Sequence, residues 1–272
     1  MTEPTTDSSS FPEPDAAVSL ETPTRRFCKR CGASWQPEWP TCPHCDRAGS
    51  LGPVAAEISA DKVAIRRAVI LYAMLLGVSI ISISVSLVQN APLGAGGLAV
   101  ESALFAIITA CFIFLAPRQA LAAYAHTGSA IWYLLAPLIA LGTVAIAAGI
   151  IHALHVYAGV EELHYLDVFK HYRNPLLVGI FWIALMPALT EETAFRGLIL
   201  GFLRPVLSDN EVILVSAGMF AILHLSPVGF PHLFLLGSVL AFVRIKSRSI
   251  YPGMLIHFSH NLFVLILEHS GH

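Results

Sequence analysis

Two adjacent glutamates, Glu191 and Glu192, stand inside an otherwise apolar stretch, and Arg196 follows Glu192 by four residues. At that spacing Glu192 and Arg196 share a helix face and can form an ion pair. Glu191 is turned from Glu192 by about 100° and so points to a different neighbour. Pro187 lies four residues before Glu191 and leaves the carbonyl of Ile183 without its helical N–H, which predicts a kink just ahead of the pair. Downstream come Phe220 and His224, four apart, and then His257 and Asn261, also four apart. A carboxylate, imidazoles and a carboxamide are the groups that activate a water and hold a developing oxyanion. Taken singly, a histidine in an apolar helix is more often a hydrogen-bonded core residue than a catalyst. Ionisable groups inside membrane-like segments are nevertheless costly and usually functional. Glu101 is a further such group, and its position near a segment end predicts an interfacial placement.

A different chemistry is written near the start. Cys28 and Cys31 form one CxxC, Cys42 and Cys45 a second, and ten residues separate them. Four thiolates in two such pairs suit a tetrahedral structural Zn²⁺. Gly32 permits the tight turn after Cys31. His44 lies between two ligands and reads as exposed rather than ligating. Trp35 and Trp39 read as the small core of this ribbon. Cys111 stands apart, inside an apolar segment, as a small apolar residue.

The elements that must position these groups are set by composition. Hydrophobic residues make up 56% of the 272 and charged residues only 12%, against about 45–50% and about 25% in soluble domains. Mean hydropathy is +0.69, and a pI near 6.6 argues against a nucleic-acid partner. The apolar excess begins near Ile65. Seven apolar segments follow, roughly 65–88, 98–116, 131–158, 176–203, 211–225, 232–245 and 250–268. About 20 apolar residues span a bilayer as a helix, so the fifth and sixth are short and need a surrounding bundle. The expected fold is all-α, a polytopic transmembrane bundle of about seven spans with a small N-terminal zinc ribbon. Its parts are a disordered Pro/Ser-rich tail (1–24), the ribbon (25–48), a linker (49–62) and a transmembrane domain (63–268). The first 20 residues lack a basic region and an apolar core, so the first membrane helix is expected to act as the insertion signal.

Lys62, Arg66 and Arg67 precede the first span, and Arg118, Arg204, Arg244, Lys246 and Arg248 follow spans two, four and six. Positive residues favour the cytoplasmic side. This predicts a multi-pass protein of the cell membrane with a cytoplasmic N-terminus and the C-terminus outside. Only Lys170 and Arg173, after a polar aromatic segment read as interfacial, fall on the other side. A cytoplasmic head favours zinc over two disulfides, which need an oxidising compartment.

Glu191-Glu192-x-x-x-Arg196, Phe220-x-x-x-His224 and His257-x-x-x-Asn261, in this order on separate apolar helices, resemble the CAAX prenyl protease and bacteriocin-processing (CPBP, or Abi) family. Phe195, Arg196 and Gly197 after the Glu pair, Leu225 after the first His and Pro252 before the second add to the likeness. It covers roughly 175–265. Thr193 and Ala194 depart from the bulkier apolar residues common after the Glu pair, which reshapes the pocket there. The resemblance implies an intramembrane endopeptidase with a polar cavity open to the cytoplasm, acting on a peptide or membrane-protein substrate in the bilayer. It implies Glu191 as general base, His224 as a holder of the water, and His257 and Asn261 as oxyanion donors. Glu192, Arg196 and Phe220 become supporting residues. Two His and a Glu can ligate Zn²⁺, but no HExxH is present and the set also works without a metal, so a catalytic metal stays open. A non-enzymatic scaffold or bacteriocin-immunity protein is the alternative. A transporter is a third reading, disfavoured by the lack of paired inverted halves.

Overall fold

The computed structural model describes residues 25–27, 34–35, 50–52, 54–160 and 164–271. The tail (1–24) and the four ribbon cysteines Cys28, Cys31, Cys42 and Cys45, with His44 and Trp39, lie outside the described residues. Three short strands are described there: β1 (Arg25–Phe27), β2 (Ser34–Trp35) and β3 (Ser50–Gly52). They form one antiparallel sheet in the order β2-β1-β3.

Everything after the sheet is helical among the described residues. The first helix, α1 (Val54–Gln89), begins inside the stretch expected to be linker, because its sequence from Val54 holds no Pro or Gly to stop it before the span. It is followed by α2 (Ala95–Leu115) and a short α3 (Pro117–Tyr124), where Pro117 ends one helix and opens the next. Next comes α4 (Ala130–Ala158), closed by Gly159 in the left-handed conformation at φ 65°. A 3-10 turn (Leu166–Phe169) leads to Asn174, whose side chain accepts from the N–H of Leu177 and caps the next helix. That helix, α5, runs Pro175–Leu203. A reciprocal Ser208/Glu211 capping box opens α6 (Asp209–Leu223). Finally α7 (Phe230–Ser247) and α8 (Tyr251–Gly271) complete the bundle.

All seven apolar segments are therefore helices. Five, α1 from Asp61, α2, α4, α5 and α7, are long and apolar enough to cross a membrane. With 15 residues α6 is too short alone, and α8 has the length but carries His257, His260, Asn261 and Glu268. Large apolar side chains such as Ile81, Phe114, Leu134 and Leu138 stay exposed on the outside of the bundle. This is what a surface facing acyl chains requires, and the chain is a multi-pass membrane protein.

The bundle is arranged around α5 and α8. The main packed core joins Leu71 and Leu75 of α1, Phe105 and Phe112 of α2, Phe195, Leu198 and Phe202 of α5, and Phe220 of α6. A second core joins Ala136 and Ala140 of α4 to Leu236 and Leu240 of α7 and Ile256 of α8. The expected kink in α5 takes a specific form. Residues Ile180–Leu185 and Thr193–Ile199 are π-helical, and an α-helical turn, Met186–Glu192, lies between them. The Glu pair thus ends a normal turn just before the second wide one. Such π segments mark functional sites often enough to direct attention there.

Candidate active site

Glu192 is completely buried, and its Oε1 accepts two hydrogen bonds, from Arg196 Nη1 at 3.1 Å and from His257 Nδ1 at 3.0 Å. The first partner comes from the same helix one turn on, the second from α8. Arg196 is also completely buried; its Nη2 donates to the carbonyl of Gly237 on α7 at 3.0 Å, and its guanidinium lies 4.6 Å from the centre of the Phe220 ring. The remaining oxygen of Glu192, Oε2, faces Gly253, where a Cβ would come within 3.2 Å of it. Only glycine leaves that carboxylate its present position without adjustment.

Glu191 has a different environment. Its Oε2 is buried and has no hydrogen-bond partner among the described residues. Its charge acts on Arg196 and on Glu101 of α2. The adjacent carboxylates are therefore separated as their rotation around the helix requires: Glu192 holds two donors on Oε1 and has Oε2 unpaired, whereas Glu191 takes part in no ion pair among the described residues.

Phe220 joins three of the motifs. Its ring is fully buried and lies 4.9 Å from the ring of His224 and 5.8 Å from that of His257, beneath the Arg196 guanidinium. An aromatic wall here keeps the imidazoles at fixed orientation. His224 is not inside a span as expected; it is the C-cap of α6, and Leu225 after it takes the left-handed conformation at φ 49°. A non-glycine residue in that region is uncommon, and it turns the chain sharply behind the histidine.

Hydrogen bonds fix the imidazoles. His224 Nδ1 donates to the carbonyl of Phe220 at 2.8 Å. A carbonyl only accepts, so the neutral ring carries its lone pair on Nε2. His257 Nδ1 donates to Glu192, so its Nε2 is likewise the outward nitrogen. A third histidine, His260, follows the same pattern. The Thr143 hydroxyl on α4 donates to the carbonyl of Ala140 and accepts from His260 Nδ1, both at 2.8 Å. Each ring has one nitrogen committed to a buried partner, the usual device for presenting the other.

Asn261 Nδ2 donates to the carbonyl of Ile183 at 2.8 Å. This is the carbonyl that Pro187 leaves without an N–H. Asn261 thus fastens α8 to the distorted part of α5, and one amide hydrogen remains for another acceptor. Thr193 is 7% exposed; its hydroxyl donates to the carbonyl of Leu189 at 2.6 Å and accepts from the Tyr124 hydroxyl at 2.5 Å. Its departure from a bulky apolar residue therefore docks α3 beside the Glu pair.

Two further groups belong to this region. Glu101 was expected at the interface. It stands half-buried in the second turn of α2, within electrostatic reach of Glu191, where α2 packs on α5. His232 of α7 acts electrostatically on His260 and feels His224, and its Nδ1 is buried without a hydrogen-bond partner among the described residues. The clue to His232 in the sequence is its position in an apolar helix, where an imidazole needs a polar neighbour.

Glu192, Arg196, Phe220, His224 and His257 are in direct contact, Asn261 sits one turn from His257, and Glu191 lies beside the group without a hydrogen bond to either histidine. Among the described residues no three His, Cys, Asp or Glu side chains converge on one position. Residues 173–263 match the family model described as type II CAAX prenyl endopeptidase Rce1-like. No curated protein and no solved structure matches the chain.

Proposed function

From the match of residues 173–263 to the type II CAAX prenyl endopeptidase Rce1-like family model, we propose that this membrane protein is an intramembrane endopeptidase in which Glu191 activates water. The observation that carries the reading is the division of the Glu pair. Glu192 is neutralised by Arg196 and bonded to His257, both through Oε1, with Oε2 unpaired against Gly253, whereas Glu191 makes no ion pair among the described residues and its buried, unpaired Oε2 is suited to accept a proton.

In this mechanism the Glu191 carboxylate takes a proton from water while the water oxygen forms a bond to the scissile carbonyl carbon. The π electrons move onto the carbonyl oxygen. His224, with its lone pair on Nε2, accepts the other hydrogen of the water and orients it. The second amide hydrogen of Asn261 donates to the oxyanion. His257 donates through Nε2 only as an imidazolium, since its Nδ1–H is committed to Glu192, and that carboxylate is the group that stabilises such a charge. Collapse of the intermediate breaks the C–N bond, and Glu191 returns its proton to the leaving amine. Glu192, Arg196 and Phe220 hold these groups in place. No step passes through a metal ion.

The finer assignments rest on sequence. The site opens to the cytoplasm and the N-terminus is cytoplasmic, by the Lys/Arg bias. The head is a zinc ribbon holding one structural Zn²⁺ on Cys28, Cys31, Cys42 and Cys45. It is supported by the position of the first CxxC between β1 and β2 and of the second between β2 and β3. The substrate is a peptide or membrane-protein segment in the bilayer.

The deciding experiment compares Glu191→Gln with Glu192→Gln for abundance in the membrane and for cleavage per molecule of a peptide reporter. Glu191→Gln should accumulate normally and be inactive. Full cleavage by both variants would remove the Glu191 mechanism, and no cleavage by the wild type would favour a binding scaffold.

A further inference from the structure

The hydroxyl of Thr193 is used twice, and both uses bear on the Glu pair. It donates to the carbonyl of Leu189 at 2.6 Å, and the N–H of Thr193 donates to the same carbonyl. The turn Leu189–Thr193, which carries Glu191 and Glu192, is thus closed by two bonds where an ordinary helical turn has one. Thr193 is also the first residue of the wide turn that follows, and a hydroxyl bonded back in this way bends a helix. Threonine in a helix ordinarily divides between two rotamers. The Tyr124 hydroxyl holds one of them by donating to Thr193 Oγ1 at 2.5 Å from α3. Tyr124 is itself held on two sides. The rest of α3 lies along the face that Thr193 shares with Gly197 and Gly201. A Cβ at Gly197 would meet Ala123 Cβ at 3.7 Å, and one at Gly201 would meet Gln119 Cβ at 3.8 Å. The Tyr124 ring stands edge-on to Tyr251 of α8, centroids 5.9 Å apart, just ahead of the Gly253 that faces Glu192.

A π turn bonds i to i+5 where an α turn bonds i to i+4, so it holds one extra residue. Moving its start from Thr193 to the other side of the Glu pair would rotate both carboxylates by about 100°. The position of that start therefore decides where Glu191 points. We propose that Tyr124 and Thr193 are positioning residues for the Glu191 carboxylate, fixing the turn Leu189–Thr193 from the neighbouring helix α3. Neither touches the reacting atoms. The inference rests on Glu191 as the base, as proposed above, and adds that the base is aimed from outside its own helix. It also gives Thr193 a task for which the bulky apolar residue common at its position has no atom.

The test uses the full chain in detergent and follows thermal unfolding and cleavage of a peptide reporter. It also follows the rate at which dicyclohexylcarbodiimide modifies Glu191, read by peptide mass spectrometry. Tyr124→Phe and Thr193→Val should each lower kcat about tenfold or more, as displaced groups do, with KM little changed. Each should speed the labelling of Glu191 severalfold, because a turn held by one bond, or by a hydroxyl free to turn away, lets the carboxylate leave its buried position. Thr193→Ser keeps the hydroxyl and should stay near the wild type in both. The double variant removes donor and acceptor together, which is close to neutral for stability. Its Tm should therefore recover relative to Thr193→Val, while kcat and labelling stay as in the single variants. Tyr133→Phe takes a hydroxyl from the Thr127 carbonyl in the loop after α3 and should change neither. The proposal is overturned if the double variant recovers kcat along with Tm, if Thr193→Ser behaves as Thr193→Val does, or if Tyr133→Phe has the same effect. Should Thr193→Val fail to fold, the comparison of Tyr124→Phe with Tyr133→Phe is read in its place. A wild type without cleavage would remove the protease reading alone; labelling then decides, and unchanged labelling in folded Tyr124→Phe overturns the proposal.

Discussion

Replacing Glu192 by Gln leaves Arg196 charged in a fully enclosed position, with the Gly237 carbonyl and the Phe220 and Phe195 rings around it. Breaking a buried pair in this way costs about 3–5 kcal/mol. The expected outcome is loss of folded protein from the membrane as well as loss of cleavage, measured by quantitative immunoblot and per-molecule activity. Glu191→Gln removes no such partner and should lose only cleavage. The roles are exchanged if Glu191→Gln is the unstable variant. Gly253 gives a gentler probe of the same carboxylate. An added methyl would sit 3.2 Å from Glu192 Oε2, so Gly253→Ala should displace the carboxylate by a few tenths of an ångström. Cleavage per molecule should fall severalfold while abundance changes little; unaltered activity would mean that the position of Glu192 is not critical.

At the scale of elements, the contact between α5 and α8 can be tested by a cycle. Asn261→Ala leaves the Ile183 carbonyl without a donor, at about 1–3 kcal/mol for a buried group. Pro187→Ala returns an N–H four residues after Ile183. The double variant should therefore be more stable in thermal unfolding than Asn261→Ala alone, although it stays inactive. If Asn261→Ala costs the same whether Pro187 is kept or replaced, that carbonyl is not the reason for the loss. Much of this level was legible in the sequence. Apolar runs placed all seven helices, and Pro187 pointed to the orphaned carbonyl. The i,i+4 spacing paired Glu192 with Arg196. What was not legible depends on packing between helices. The π turns leave no signature in a hydrophobic run. That Glu101 turns toward Glu191, and that His260 finds Thr143 rather than the Glu pair, follows from which face of α2 meets α5 and which face of α8 meets α4. His224 falls at a helix end because Leu225 reverses the chain, and a leucine does not announce a left-handed turn.

For the whole molecule, the orientation rests on the Lys/Arg bias. Reporter fusions should place the N-terminus in the cytoplasm and His272 outside; a cytoplasmic His272 would rule out seven spans. The purified full chain should carry about one Zn²⁺ per molecule, as a Cys₄ site holds, and Cys28→Ser should lose it while the helical bundle keeps its thermal transition. Absence of zinc from the wild type would refute the ribbon. The way α8 is fastened has a consequence in time. His257 and Asn261 bind α5, His260 binds α4, and the Glu268 carboxylate accepts from the N–H groups of Tyr165 and Leu166 at 3.1 and 2.9 Å. Every one of these partners is synthesised before α8. A nascent chain halted ahead of Tyr251 already has both glutamates in the bilayer, yet it lacks the imidazole and the amide that complete the site. If the chain is the protease proposed above, proteolysis is withheld during its own synthesis and begins only when the ribosome has delivered α8 to the helices that wait for it.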